Sequence, residues 1–332
     1  MITESINTAL LDGDNERLYE LVLGETDPDT LEFSIEHYLA NSLKARPTSL
    51  LFFELSISAV FGFTLSNDEK VVVKLFPEEI FSEHIKTVIK MQSYLFEKGF
   101  PCPKPLTDCE RLCNAIAFVE RLTEEGRFED CLLPERVQEL AREQVRLHSL
   151  LKEVKHDGLK EHIIPTERLW PLHLSEFYEF KENNNAEPID KIALAAKHKV
   201  TRQRGALIVG HSDWSAKCTR FTGNRLTAAF DWYSLVAEDE RILLGSTAAS
   251  FWNTPYLDQQ EPPTISLMED YIRAYETAAG KEFSQDDRLI IRAAMAYRLA
   301  LLARCYQSTR DEACSSSAFC QSLVKLGTEL VD

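Results

Sequence analysis

The chain has 332 residues, enough for about two lobes of roughly 150 residues each. Its 53 acidic and 37 basic side chains leave a formal net charge of -16, and that charge disfavours nucleic acid and anionic membranes as partners. With 44% hydrophobic and 27% charged residues, and only 12 glycines and 13 prolines, the composition excludes a fibrous or low-complexity chain.

The cysteine pattern and the apolar segments indicate the cellular compartment of the protein. The 8 cysteines contain no C-x-x-C pair, so we expect reduced thiols rather than zinc ligands or a redox pair. The acidic N-terminal stretch has no basic segment followed by an apolar one, which argues against a secretory signal. The longest apolar run, 50–65, is interrupted by Glu54 and is typical of strands, not of a membrane span. We therefore expect a cytoplasmic protein.

The first 122 residues contain two kinds of pattern. Over 1–48, apolar residues such as Leu31, Ile35 and Leu39 recur at helical spacing and predict an N-terminal helical extension. From residue 49 the period changes to two, and Asn67-Asp68 between apolar runs indicates a hairpin. We therefore expect a β-rich N-lobe over 49–122, with one helix over 77–98.

The remaining 210 residues, 123–332, are mostly helical in pattern. Apolar periodicity predicts helices over 134–154, 264–279 and 286–306. The polar stretch near 155–200 has weak periodicity and predicts an exposed insertion. The fold class predicted is therefore α+β and bilobal, with an antiparallel β-sheet N-lobe and a mainly helical C-lobe.

Residues 207–235 carry the most informative pattern. Two short β-rich runs flank Gly223-Asn224, a dipeptide typical of a two-residue hairpin turn. Extending the register from that turn places Asp231 opposite Ala216. The hairpin would thus bring Asp231 close to Asp213, which lies well before it in the sequence.

Two carboxylates that lie close together can have two different chemical roles. One can hold a divalent cation, and the other can orient or deprotonate an incoming hydroxyl. Phosphoryl transfer uses such a pair together with a cation for the phosphates. Lys74 is a candidate for that cation, because an ammonium within the strand V-V-V-K-L-F needs an anion to meet it. Glycoside hydrolysis is an alternative use of the carboxylates, but it gives Lys74 no role.

At this point the chain resembles a known family. The blocks H-S-D-x-x-x-x-C (211–218) and F-D-W (230–232) are similar to the H-G-D-x-x-x-x-N and D-[FWY] signature of the aminoglycoside phosphotransferase and choline kinase-like family. The elements G-F-P-C-P-K-P-L, A-F-V-E-R-L and L-H-S-L, in that order, extend the resemblance over most of the chain after residue 49. The resemblance implies a protein-kinase-like fold and transfer of a γ-phosphoryl group from ATP, with Mg²⁺, to a hydroxyl of a small molecule.

The resemblance also implies roles for the residues of the catalytic block. Asp213 would orient and deprotonate the acceptor hydroxyl, and His211 would give structural support to the loop. Asp231 would bind Mg²⁺ at the nucleotide phosphates. Cys218 stands where the family has a metal-ligating Asn, and a thiol is a poor ligand for a hard cation. Lys217 beside it would supply positive charge in place of a second metal.

For the N-lobe, the resemblance implies a nucleotide site. Lys74 would contact the α and β phosphates, and the backbone around Glu120 and Leu122 would bind adenine. The segment expected to cover the phosphates, 57–67, contains only one glycine, Gly62. No helix carboxylate can be assigned to Lys74, since Glu83 comes too early and position 88 is Val.

These departures leave a second reading open, a catalytically impaired pseudokinase that acts as a nucleotide-binding or regulatory module. A third interpretation is a hydrolase that uses the same two carboxylates and needs no nucleotide. A cationic acceptor would suit the charge of -16. The sequence identifies neither the acceptor nor the oligomeric state.

Overall fold

The computed structural model describes residues 2–11, 13–24, 26–159, 162–180, 186–253, 263–309 and 318–331. Cys314 and parts of the predicted insertion, 160–161 and 181–185, lie outside the described residues. The chain divides into two compact units, Met1–Glu124 and Glu125–Asp332. Within the ranges given above, no helix is long and apolar enough to span a bilayer, and every cysteine is a free thiol, as predicted.

Unit 1 is built on one antiparallel sheet in the order β1-β2-β3-β5-β4. Its strands are β1 (Pro47–Leu55), β2 (Ala59–Leu65), β3 (Lys70–Pro77), β4 (Glu110–Leu112) and β5 (Ala115–Arg121). The Asn67-Asp68 turn joins β2 to β3 as predicted, with Asp68 at φ 63°. The antiparallel sheet expected in the first lobe is thus confirmed.

In the described part of unit 1, this sheet is accompanied by the helices α1 (Ile2–Ala9), α2 (Gly13–Leu23), α3 (Pro28–Ser42) and α4 (Glu78–Glu97). Asp27 caps α3 by accepting a hydrogen bond from the Thr30 N–H at 3.0 Å. The apolar side of α3, including Leu31 and Leu39, is fully buried in one cluster with Phe61 and other side chains from one face of the sheet. The predicted N-terminal extension therefore supplies part of the hydrophobic core of unit 1.

Gly62 lies in the middle of β2 and serves the packing of the sheet. A Cβ built on Gly62 would come within 2.3 Å of the Phe52 ring on β1. The ring occupies the space that any larger side chain would need. This glycine is therefore explained by strand packing in unit 1 alone.

Unit 2 is mainly helical. Its helices are α5 (Pro134–Leu151), α6 (Leu172–Phe177), α7 (Glu187–Arg202), α8 (Glu240–Ala248), α9 (Ile265–Ala279), α10 (Gln285–Thr309) and α11 (Ala318–Val331). The residues of unit 2 that the structure describes also form two short antiparallel ladders, with β6 (Leu207–His211) paired to β9 (Leu235–Asp239) and β7 (Thr219–Thr222) paired to β8 (Arg225–Ala229). The predicted α+β class is confirmed, since one unit is built on a sheet and the other is mainly helical.

The prediction of an exposed insertion near 155–200 is wrong for α7. This helix packs against α10 and α11, and its apolar residues Ile189, Ala193, Ala196 and Val200 are buried. They lie three or four residues apart, so they form one helical stripe. Interspersed lysines and one histidine, His198, hide the stripe in the sequence.

Candidate active site

The β7-β8 hairpin sets the position of Asp231. Near the turn the pairing follows the predicted register, with Thr222 opposite Arg225, but a bulge between Arg220 and Phe221 shifts it by one residue. Thr219 then faces Ala229, and the Phe230 N–H donates to the Cys218 carbonyl at 2.8 Å. The predicted pairing of Asp231 with Ala216 is therefore wrong by one position, because a bulge adds a residue to one strand.

The bulge does not separate the acidic residues. Cys218 Sγ lies 3.8 Å from Asp213 Oδ2 and 3.4 Å from Asp231 Oδ2. The fully buried thiol thus sits between the two carboxylates. Burial, followed by the nearby carboxylates, raises the pKa of the Cys218 thiol well above its ordinary value. The thiol is therefore neutral and donates a weak hydrogen bond to Asp231.

Asp231 has an unusual backbone. It follows β8 with φ 58° and ψ 43°, in the left-handed region, and precedes a short 3-10 helix, Trp232–Ser234. Left-handed conformations cost a non-glycine residue roughly 1–2 kcal/mol, although Asp tolerates them better than most. Such strain recurs at functional positions. The Ser234 N–H, which donates to the Asp231 carbonyl at 2.9 Å, helps to hold this geometry.

His211 connects the two acidic segments. It ends β6 and is 1% exposed. Its Nδ1 accepts the Asp213 N–H at 3.2 Å, so Nε2 carries the proton and donates to the Phe230 carbonyl at 2.9 Å. Burial lowers the pKa of His211, so the ring is neutral. The imidazole therefore bridges the loop of Asp213 and the strand end before Asp231.

Asp213 is held by two cations. Lys217 Nζ lies 2.7 Å from Asp213 Oδ2, and Arg298 Nη2 lies 2.6 Å from Oδ1. Burial alone would raise the pKa of Asp213, but Lys217 and Arg298 outweigh it and hold that pKa below its ordinary range. Arg298, on α10, is absent from the sequence predictions because nothing in its helical pattern distinguishes it from a surface arginine.

The metal-ligating potential of this cluster is limited. Within the described part of the chain, no group of three or more His, Cys, Asp or Glu side chains could hold a metal ion. A neutral thiol cannot replace the amide oxygen of an Asn. Asp231 is a hard oxygen donor and fits a cation that takes its remaining ligands from phosphates and water.

Unit 1 contains a buried ion pair. Lys74 Nζ on β3 lies 2.8 Å from Glu120 Oε1 on β5, with 8% and 2% of the side chains exposed. Gln92 of α4 donates to the second oxygen of Glu120 at 2.9 Å. The sequence left the carboxylate partner of Lys74 open, and the neighbouring strand supplies one in Glu120. Glu83 instead pairs with Lys86 at the surface.

The backbone expected to bind adenine is partly engaged. The Leu122 N–H donates to the Lys70 carbonyl at 3.0 Å, and the Arg121 N–H donates to the Lys104 carbonyl at 2.8 Å. The Glu120 side chain is committed to the ion pair with Lys74. Adenine recognition by this strand stays a prediction, and these two N–H groups already have partners.

Comparisons with known proteins support the fold. No protein-family model matches the chain, and no curated protein sequence matches it. Among solved structures, amicoumacin kinase in complex with AMP-PNP and Ca²⁺ has a TM-score of 0.66 at 16% identity, covering 86% of this chain and 89% of that one. A microcompartment-associated aminopropanol kinase has a TM-score of 0.62 at 12% identity, covering 90% and 95%.

A choline/ethanolamine kinase family protein from Mesorhizobium loti is similar over 91% of this chain and 99% of its own, with a TM-score of 0.57 at 14% identity. Because these sequence identities are low, the similarity establishes the fold alone. The predicted kinase-like fold is thereby confirmed, and it is the fold of the family that the sequence resembles.

Proposed function

We propose that this chain is an ATP-dependent phosphotransferase that transfers the γ-phosphoryl group to a hydroxyl of a small molecule. The acceptor oxygen forms a bond to the γ-phosphorus while the bond to the β,γ-bridging oxygen breaks and ADP leaves. The hydroxyl proton passes to Asp213. Because phosphoryl transfer depends mainly on positioning and charge, a carboxylate with a low pKa can serve as the proton acceptor.

The observation that carries this proposal is the convergence of Asp213 and Asp231 around Cys218 in a kinase-like fold. His211 supports both acidic segments through its two ring nitrogens. Asp231 would hold a divalent cation, Mg²⁺ by expectation, which neutralises phosphate charge when bound. In unit 1, Lys74 would bind nucleotide phosphates, and Glu120 would hold its ammonium in place. We propose the cytoplasm as its location.

A thermal-shift titration tests the proposal. ATP with Mg²⁺ should raise the melting temperature, and stabilisation by about 2.7 kcal/mol is expected at one hundred times Kd. The substitution Asp231→Asn should remove the part that depends on Mg²⁺, because an amide retains the shape and tolerates the left-handed backbone but carries no charge.

Asp68→Asn is the matched control. Asp68 has a similar backbone, φ 63°, in an exposed turn of unit 1. This variant should bind the nucleotide as the wild type does. No shift for the wild-type protein at millimolar ATP and Mg²⁺ would refute the proposed function.

The second candidate is a pseudokinase, which the position of Cys218 favours. The thiol donates to the same carboxylate that would hold the cation. Removing the thiol by Cys218→Asn should therefore tighten nucleotide binding in the presence of Mg²⁺. If the wild-type protein consumes ATP in the presence of an acceptor, the pseudokinase is excluded. If the wild-type protein does not consume ATP, and only the Cys218→Asn variant binds nucleotide with Mg²⁺, the pseudokinase is supported.

A further inference from the structure

We propose that the acceptor carries an anionic group, a carboxylate or a phosphate, a few bonds from the hydroxyl that is phosphorylated. The inference rests on the proposed function and specifies its substrate class. It differs from the cationic acceptor that net charge suggests, because the charge around Asp213 has the opposite sign to that of the whole chain.

The charges beside Asp213 do not balance. Lys217 and Arg298 contribute two positive charges against one carboxylate. Asp231, the other acid near this cluster, lies beyond the Cys218 thiol and would share the divalent cation of the proposed function with the nucleotide phosphates. Among the side chains that touch Asp213, which receives the acceptor hydroxyl, one positive charge is therefore in excess.

Arg298 also has unused hydrogen-bonding capacity. Its side chain is 10% exposed, and one Nη donates to Asp213. Its buried Nε has no hydrogen-bond partner among the described residues. A guanidinium has five N–H donors in a planar fork that fits carboxylate and phosphate oxygens. An anionic ligand would meet the donors of this fork that Asp213 does not use.

The neighbouring groups favour the same ligand. Lys217 is 35% exposed at its side chain, so this side chain is partly accessible as well as paired. Burial raises the pKa of Tyr178, whose phenol is close enough to be influenced by Lys217, Asp213 and Arg298. The phenol therefore remains protonated and can donate. An ammonium next to the acceptor hydroxyl would face two cations instead.

The experiment compares four acceptors built on the same three-carbon hydroxyl scaffold. They are 3-hydroxypropionate, 3-hydroxypropyl phosphate, the neutral 1,3-propanediol and the cationic 3-amino-1-propanol. Binding to the full chain saturated with AMP-PNP and Mg²⁺ is measured by calorimetry. We expect at least one anion to bind about tenfold or more tightly than the diol, and the amine to bind most weakly, as charge-assisted hydrogen bonds predict.

Substitutions of the two cations test whether they cause the preference for an anionic acceptor. Arg298→Met should abolish the preference for the anion, and Lys217→Met, at a more exposed position, should reduce it if Arg298→Met does not fold. Arg292→Met is the matched control, since Arg292 lies on the same helix, is 42% exposed and should leave the preference unchanged.

The outcomes separate the two proposals. Absence of Mg²⁺-dependent nucleotide binding refutes the proposed function. Normal nucleotide binding with equal affinity for all four acceptors, or with preference for the amine, refutes only the anionic acceptor. Weakened nucleotide binding in Arg298→Met and Lys217→Met, with the anion preference intact, would also refute it, because the cations would then serve the nucleotide.

Discussion

Removal of Arg298 should destabilise unit 2 in a way that depends on pH. Arg298 and Asp213 are 10% and 15% exposed and are joined at 2.6 Å. Two unit charges about 4 Å apart interact by about 4 kcal/mol at an effective dielectric constant of about 20. Breaking a buried pair by removing one partner costs about 3–5 kcal/mol. Because Lys217 still faces Asp213, we expect Arg298→Met to cost about 2–4 kcal/mol at pH 7.

The sign of the pH dependence follows from the low pKa of Asp213. Its contribution to stability is present above the unfolded value of 3.8 and is lost as the pH falls through the lower folded value. Arg298→Met raises the folded pKa, so the variant protonates Asp213 sooner than the wild type. The stability difference between the two should therefore be largest near neutral pH and should narrow as the pH falls toward about 3.

Other groups around Asp213 are the same in both proteins. Lys217 remains charged, the Cys218 thiol remains neutral, and Asp231 lies beyond the thiol. His211 accepts the Asp213 N–H, and burial lowers the pKa of its ring. The comparison between the two therefore isolates the Arg298 charge.

Urea unfolding followed by tryptophan fluorescence measures this difference. All 4 tryptophans lie in unit 2, so the signal reports the unit that contains the pair. The double variant Arg298→Met with Asp213→Asn completes a mutant cycle, in which a coupling of about 2–4 kcal/mol is expected. The reasoning fails if the cost of Arg298→Met is equal at pH 7 and pH 3, or if the cycle shows no coupling.

Three further predictions concern unit 1, and far-UV circular dichroism during urea unfolding checks them all. Lys74→Met should cost about 3–5 kcal/mol, since it leaves Glu120 buried without its ammonium, and adding Glu120→Gln should recover part of this loss. Gly62→Ala should cost about 1–3 kcal/mol because the new methyl group displaces the Phe52 ring, and a neutral effect would contradict that packing. Leu39→Ala should cost about 2–5 kcal/mol, whereas a loss below 1 kcal/mol would mean that the N-terminal helices are dispensable to this core.

The sequence determined the features that depend on local pattern. Alternating apolar residues and the Asn67-Asp68 turn predicted the antiparallel sheet of unit 1. The Gly223-Asn224 turn likewise predicted that Asp231 would approach Asp213, because a tight turn forces the chain back on itself. The order of short motifs sufficed to predict the kinase-like fold.

Only the tertiary structure decided which groups contact Asp213, Asp231 and Lys74. The bulge after Arg220, the pairing of Lys74 with Glu120 and the approach of Arg298 to Asp213 all depend on contacts between distant segments. Such contacts leave no periodic signal, because a single charged side chain on a helix or strand looks the same whether it faces water or a buried partner. The charge that surrounds Asp213, and with it the proposed choice of acceptor, is therefore a property of the packed chain.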